Sequence, residues 1–200
     1  MLYGGHLGGL EVRRGRGGGF RLRGSFPYGK RAVLSDGGRN GGRPKKEQFA
    51  PRAFSFNIEN DTDIMFLSGH RFDKPLASRS AGTLDLSDGD DAMRFEATIT
   101  EEMQETTWTR DFMAAFNAGL VVGLSPGFRL PPQRTVPDAE TIEEEDPSEG
   151  DAIIRTINAA LLFEISAVTK AAYPDAQIEE RSWQPGKLIR PAVHHSARWR

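Results

Sequence analysis

Three polar residues, His70, Ser125 and Glu164, lie within or at the ends of apolar stretches, where a polar side chain requires a reason. A histidine, a hydroxyl that it can activate and a carboxylate that orients the imidazole form a nucleophilic triad. This set predicts acyl-transfer chemistry, with Ser125 as nucleophile, His70 as general base and Glu164 as the orienting acid. Each residue also has a structural interpretation: a turn serine, a turn histidine, and a glutamate paired with an arginine.

Ser125 stands in an apolar run, residues 120–129, that is interrupted by Pro126-Gly127. Such a run predicts a buried strand that ends in a tight turn. At a bend of this kind the hydroxyl and nearby backbone N–H groups can face a substrate carbonyl, as acyl transfer requires. Pro126 has no N–H, so the oxyanion donors are expected from Gly127, Phe128 or another strand.

His70 and Glu164 occupy different positions relative to their strands. His70 follows the apolar residues 63–69 and is the one histidine outside the predicted tails. Glu164 lies inside the apolar stretch 153–169, which is interpreted as one long strand or two. Alternation with a period of two places it on a single face together with Leu162, Ser166 and Val168. A carboxylate on a mostly apolar face is expected to be paired or functional.

The remaining pattern predicts several short strands, one central helix and a β-rich α+β core. Strands are predicted at residues 20–26, 63–69, 83–87 and 94–100. Residues 36–44 are interpreted as a loop and residues 47–54 as a turn or helical segment. Thr109 is predicted to cap a helix that Gly119 ends.

Composition and charge suggest a folded domain with charged extensions. The 200 residues are 38% hydrophobic, contain no cysteine and carry a formal net charge of −2. Disulfides, thiol nucleophiles and cysteine-ligated metals are therefore excluded. Residues 1–18 are interpreted as a flexible Gly/Arg-rich arm, residues 19–178 as the folded domain, residues 131–151 as an acidic mobile loop and residues 179–200 as a basic tail.

The sequence also predicts no cofactor, no metal and no membrane segment. No ligand cluster has metal-site spacing, and the glycines at 15–19 lack the lysine of a phosphate-binding loop. No apolar run approaches the roughly 20 residues of a membrane helix.

Several short segments form a recognisable set when they are taken in order along the chain. They are residues 47–54 (EQFAPRAF), 67–70 (LSGH), 75–77 (PLA), 82–86 (GTLDL), 119–128 (GLVVGLSPGF), 163–169 (FEISAVT) and 172–174 (AYP). Together they resemble the prohead maturation proteases of tailed phages, a family also found in gene transfer agents, and the resemblance extends from about residue 20 to residue 178.

This resemblance implies the fold of herpesvirus assemblins, a closed β-barrel with flanking helices and a serine nucleophile. It implies Ser125 as nucleophile and His70 as base. Assemblins use a second histidine as the third member, which the body of this chain lacks, so Glu164 is chosen, with Asp73 and Asp85 as fallbacks. The family often has an acid directly after the histidine, where this chain has Arg71.

The implied function is that of a serine endopeptidase that cleaves scaffold or the N-terminal extension of the major capsid protein, and then itself. It would act in the cytoplasm, inside procapsids, and could form a homo-oligomer, without membrane or nucleic-acid partners. A first alternative is a non-catalytic capsid assembly factor in which Ser125 only closes a turn. A second is a nucleic-acid binder that uses the basic arm, and its affinity would depend steeply on salt.

Overall fold

The computed structural model describes residues 2–3, 10–14, 19–38, 41–121 and 123–169. This part of the chain forms thirteen strands and three short helices. The strands are β1 (Leu2–Tyr3), β2 (Leu10–Arg14), β3 (Phe20–Pro27), β4 (Ala32–Ser35), β5 (Lys45–Phe49), β6 (Met65–Ser68), β7 (Pro75–Ser78), β8 (Leu84–Asp88), β9 (Ala92–Ile99), β10 (Gly123–Arg129), β11 (Glu140–Glu144), β12 (Ile153–Ile157) and β13 (Leu161–Val168). The helices are α1 (Ser55–Glu59), α2 (Glu101–Gln104) and α3 (Thr107–Asn117).

The described strands are arranged in three sheets. The first has the order β1-β10-β13-β6-β7, the second β11-β12-β5-β4 and the third β2-β3-β9-β8. In the first sheet β13 is central: it runs antiparallel to β10 and parallel to β6. Strands that are distant in sequence are therefore neighbours here, and this sheet positions the candidate site.

The expected closed β-barrel is wrong, because none of the three sheets closes on itself. Closure requires hydrogen bonds between the first and last strands of one sheet. Strand β7 ends the first sheet; it has four residues and begins at Pro75, whose nitrogen cannot donate to a further strand. It lies against β9 of the third sheet without forming a ladder with it.

One apolar core unites the three sheets. Its central ring is Phe49 of β5, whose centroid lies 5.1 Å from those of Phe54 and Phe128 and 5.2 Å from that of Phe26. Aromatic pairs at these distances contribute about 0.5–1.5 kcal/mol each beyond their burial. Because Phe128 belongs to β10, this core fixes the strand that carries Ser125.

The strands predicted at residues 20–26, 63–69, 83–87 and 94–100 are confirmed as β3, β6, β8 and β9. The central helix is confirmed as α3, but Thr106 precedes it instead of Thr109, which is buried in its first turn. The stretch 153–169 forms two strands, β12 and β13.

Other segments differ from their predictions. Residues 45–49 form strand β5, so the predicted turn or helix at 47–54 is wrong for that part, and α1 begins later, at Ser55. The acidic stretch 131–151 contains β11, which pairs with β12. The arm 1–18 contains the short strands β1 and β2. The predicted basic tail, residues 179–200, and the segment 172–174 lie outside the described residues, so those two stay predictions.

The predicted tight turn at Pro126-Gly127 is also wrong. Both residues are buried inside β10, opposite Ile165 and Glu164 of β13. Pro and Gly usually interrupt strands, and here the next paired position, Phe128 opposite Leu162, skips Phe163 as a β-bulge. Pro126 and Gly127 therefore accompany a bulge in the neighbouring strand β13, and the chain does not reverse its direction at this point.

Candidate active site

The turn after β6 places His70 over strand β13. Gly69 and His70 both have left-handed backbone angles, with φ of +64° and +63°. That conformation suits glycine but costs a histidine roughly 1–2 kcal/mol. Two hydrogen bonds hold the turn: Gly69 N–H donates to the Ala167 carbonyl at 3.0 Å, and His70 N–H donates to Ser166 Oγ at 2.8 Å.

The imidazole of His70 is hydrogen-bonded to a fully buried carboxylate. His70 Nδ1 lies 2.6 Å from Glu164 Oε1, and Glu164 is 0% exposed. The histidine side chain is 23% exposed, so the hydrogen bond joins a buried carboxylate to an imidazole that is partly accessible to solvent. A carboxylate that accepts the Nδ1 proton selects the tautomer in which Nε2 is the basic nitrogen.

Ser166 completes this arrangement and was not among the predicted site residues. Its Oγ donates to Glu164 Oε2 at 2.7 Å and accepts the His70 backbone N–H. One hydroxyl thereby orients both the Glu164 carboxylate and the turn that carries His70. Its sequence signal was present, because alternation placed Ser166 on the same face as Glu164 in an otherwise apolar strand.

Ser125 lies on the same face of the sheet as Glu164 and Ser166. In the antiparallel β10–β13 pair, Ser125 is directly opposite Ser166 and Gly127 is opposite Glu164. Directly opposed residues project from the same face, with Cβ atoms about 4.5–5.5 Å apart. Ser125 is 3% exposed. The sheet therefore gathers a serine, a glutamate and, through the turn at residues 69–70, a histidine on one surface.

Gly127 provides the space that the Glu164 carboxylate occupies. A Cβ atom at this position would lie 2.1 Å from Glu164 Oε1 and 2.7 Å from its Cδ. These distances are far below van der Waals contact, and the carboxylate is held by His70 and Ser166. The glycine that the sequence suggested as part of a turn is required for side-chain packing at the site.

Replacing Gly127 with alanine is expected to displace the Glu164 carboxylate and so to disrupt its bond to His70. We expect a loss of about 1–3 kcal/mol in the free energy of unfolding, the usual cost of overpacking. Chemical denaturation of Gly127→Ala, Glu164→Ala and the double variant would measure it. The double variant should lose less stability than the sum of the two single variants, because the added methyl group then enters vacated space.

The matched control is Gly89→Ala, where an added Cβ would approach other atoms no closer than 3.3 Å. Additive effects of Gly127→Ala and Glu164→Ala would contradict the packing role of Gly127.

Asp73 and Asp85, the alternative candidates for the orienting acid, lie in surroundings that differ from those of Glu164. The exposed Asp73 carboxylate is bound by Arg71 through contacts of 3.1 and 2.7 Å. This hydrogen bonding lowers the pKa of Asp73. Asp85 is exposed on β8 of the third sheet, opposite Glu96, whereas His70 contacts the first sheet.

The expected oxyanion donors, Gly127 and Phe128, lie between two strands. β13 pairs with them on one side, and β1 pairs with them on the other, Tyr3 opposite Gly127 and Leu2 opposite Phe128. Backbone N–H groups in a strand point along the sheet toward such neighbours. At these two positions they are therefore directed at β13 or β1.

Within the described ranges, no group of three or more His, Asp or Glu side chains is arranged to hold a metal ion. Among the same residues, no helix has both the length and the apolar character to cross a membrane.

Comparison with known families identifies a relationship over most of the chain. A family model described as caudovirus prohead serine protease matches residues 38–188. The resemblance predicted from the sequence is thereby confirmed. The matched range includes the turn at residues 69–70, β10 and β13. No curated protein and no solved structure matches significantly.

Proposed function

Because the chain belongs to the caudovirus prohead serine protease family, we propose that it is the serine endopeptidase that cleaves scaffold or the N-terminal extension of the major capsid protein. The family supports a role in capsid maturation. The enzyme would act inside the procapsid and would also cleave itself. Its substrates would be segments of scaffold or capsid proteins, and the reaction is peptide hydrolysis.

In the proposed mechanism, Ser125 Oγ attacks the scissile carbonyl while His70 Nε2 accepts the hydroxyl proton. His70 then donates that proton to the leaving amine, and an acyl-enzyme remains. Water, activated by the same nitrogen, releases the new carboxylate and restores the serine. Glu164 retains its hydrogen bond to Nδ1 throughout and stabilises the imidazolium by its negative charge.

The observation that carries the proposal is the 2.6 Å contact between His70 Nδ1 and the buried Glu164 Oε1. Burying a carboxylate is costly, and an apolar pair of similar volume is often at least as stable. Stability alone therefore gives little reason for a histidine and a glutamate at this place. An orienting acid behind a catalytic base does explain them, and Ser125 shares the face on which they meet.

One observation favours the alternative of a non-catalytic assembly factor. Ser125 is 3% exposed, and a nucleophile must be reached by its substrate. In that alternative, the hydroxyl would only satisfy hydrogen bonds inside the sheet. The two functions differ in whether Ser125 reacts.

The test is to co-express the chain with its major capsid protein and to treat assembling procapsids with a fluorophosphonate, which labels activated serines. Intact mass would follow processing, and peptide mapping would locate the label. Processing that stops on treatment, with the label on Ser125, is the expected result. Capsid assembly without processing and without labelling would support the assembly factor. Processing that continues despite full labelling of Ser125 would overturn the assignment.

A further inference from the structure

A cavity of about 410 Å³ opens directly beside His70. It lies at the end of β13, between the segment 68–74 and helix α3. A volume of this size falls within the usual range of about 300–1,000 Å³ for ligand pockets. The proposed reaction uses His70 but leaves this cavity without a role.

The cavity lies at one end of the β10–β13 ladder, close to Ser125 along the strand. Val168 lines it and is paired with Gly123, two residues before Ser125. Val168 shares the face of β13 that carries Glu164 and Ser166, whereas Ala167, which also lines the cavity, projects from the opposite face, so the cavity lies around the end of the strand. Because His70 lines the cavity, a peptide whose scissile bond lies at Ser125 and His70 would have a neighbouring side chain near this opening.

The lining of the cavity is mainly apolar. Trp108 donates its indole N–H to the Pro75 carbonyl at 2.9 Å, which fixes the ring. Phe112, Ala115 and Val121 form further apolar walls. Charged groups are also present: Lys74 is half-buried and Asp111 is exposed. The apolar walls fit an uncharged, apolar guest, while Ser68, Thr169, Lys74 and Asp111 add polar groups to the lining.

We propose that this cavity is the specificity pocket of the protease and binds an apolar side chain of the substrate next to the scissile bond. The proposal rests on the proposed function. The position of His70 in the cavity wall supports it, because the proposed base lies beside the scissile bond and the cavity can therefore receive a neighbouring side chain of the substrate.

Ala115 lines the pocket and makes the proposal testable. Leucine or valine at this position would fill space that the substrate side chain is proposed to use. Hydrophobic pockets discriminate by roughly 10–200-fold for a single methylene of misfit. Ala115→Leu should therefore lower kcat/KM for substrates with large apolar side chains by at least about 10-fold, with a smaller effect on those with Ala or Val.

The experiment compares cleavage-site profiles of the full-length wild type, Ala115→Leu and Ala115→Val on a library of peptides from a digested bacterial lysate. Mass spectrometry would identify the new termini. The matched control is Ala114→Leu, because Ala114 precedes Ala115 on α3 but is exposed and does not line the cavity. We expect one position beside the cut to be enriched in large apolar residues for the wild type and Ala114→Leu, and to shift to small residues in Ala115→Leu.

Ala115→Val keeps the test valid if leucine prevents folding, since thermal melting would show whether each variant is folded. An unchanged profile in either folded Ala115 variant would overturn the pocket assignment while leaving the protease function intact. A wild type that cleaves no peptide and takes no fluorophosphonate label would overturn both proposals together.

Discussion

Replacing Ser125 with alanine is expected to stop processing of the major capsid protein and to lower the rate of peptide cleavage by about 10⁴-fold or more. The proposed acyl-enzyme forms on Ser125 Oγ, and alanine has no side-chain atom that can act as a nucleophile. Alanine removes one oxygen and leaves the β10–β13 pairing in place, so folding should be kept. The measurement is kcat/KM on a peptide identified in the library, together with intact mass of the capsid protein over time.

Ser87→Ala is the matched control, since Ser87 also lies on a strand, β8, but is exposed and belongs to another sheet. It should process the capsid protein at the wild-type rate. A Ser125→Ala variant that is folded and still processes capsid protein at that rate would show that the nucleophile is elsewhere.

Replacing Glu164 with glutamine is expected to lower kcat by about 10²–10⁴-fold with little change in KM. Glutamine removes the negative charge that stabilises the imidazolium. It also presents an NH₂ group to either His70 Nδ1 or Ser166 Oγ, and at Nδ1 this favours the tautomer whose Nε2 already carries a proton. Because Glu164 is 0% exposed, water cannot compensate for the lost charge. Steady-state kinetics across pH would measure the effect.

Two further variants separate a positioning role from a loss of stability. Glu164→Asp keeps the charge and should recover part of kcat. Glu47→Gln alters another buried carboxylate, which Arg155 holds at 3.1 Å in the second sheet; it should lower the melting temperature but keep kcat near wild type. A Glu164→Gln variant with unchanged kcat and pH profile would remove Glu164 from the mechanism.

Much of the candidate site was visible in the sequence because polar residues in apolar strands are conspicuous. His70, Ser125 and Glu164 were selected for that reason, and period-two alternation already put Ser166 beside Glu164. The structure brings His70 and Glu164 into contact and places Ser125 on the same face. Such residues can be recognised from the sequence alone, because burying a polar group without a partner is costly and a polar residue in an apolar strand therefore needs a partner or a function.

Gly127 shows where local patterns mislead. Pro126-Gly127 has the composition of a turn, and the sequence contains no indication of what lies opposite. The reason for the glycine is the Glu164 side chain on a strand that is distant in sequence, whose carboxylate leaves no room for a Cβ. A rule based on neighbouring residues cannot predict this contact, because Glu164 comes close to Gly127 only when β13 pairs with β10 in the folded chain.

The sequence by itself determined the β-rich class, most strand positions, the family and the polar residues that are candidates for chemistry. These follow from alternation and from residue types, which act over a few neighbours. Only the tertiary structure decided that the strands form three sheets and not a closed barrel, and that β13 lies between β10 and β6. Both depend on hydrogen bonds between distant strands and on how edge strands such as β7 end. These long-range pairings align Ser125 with Ser166 and bring His70 onto Glu164.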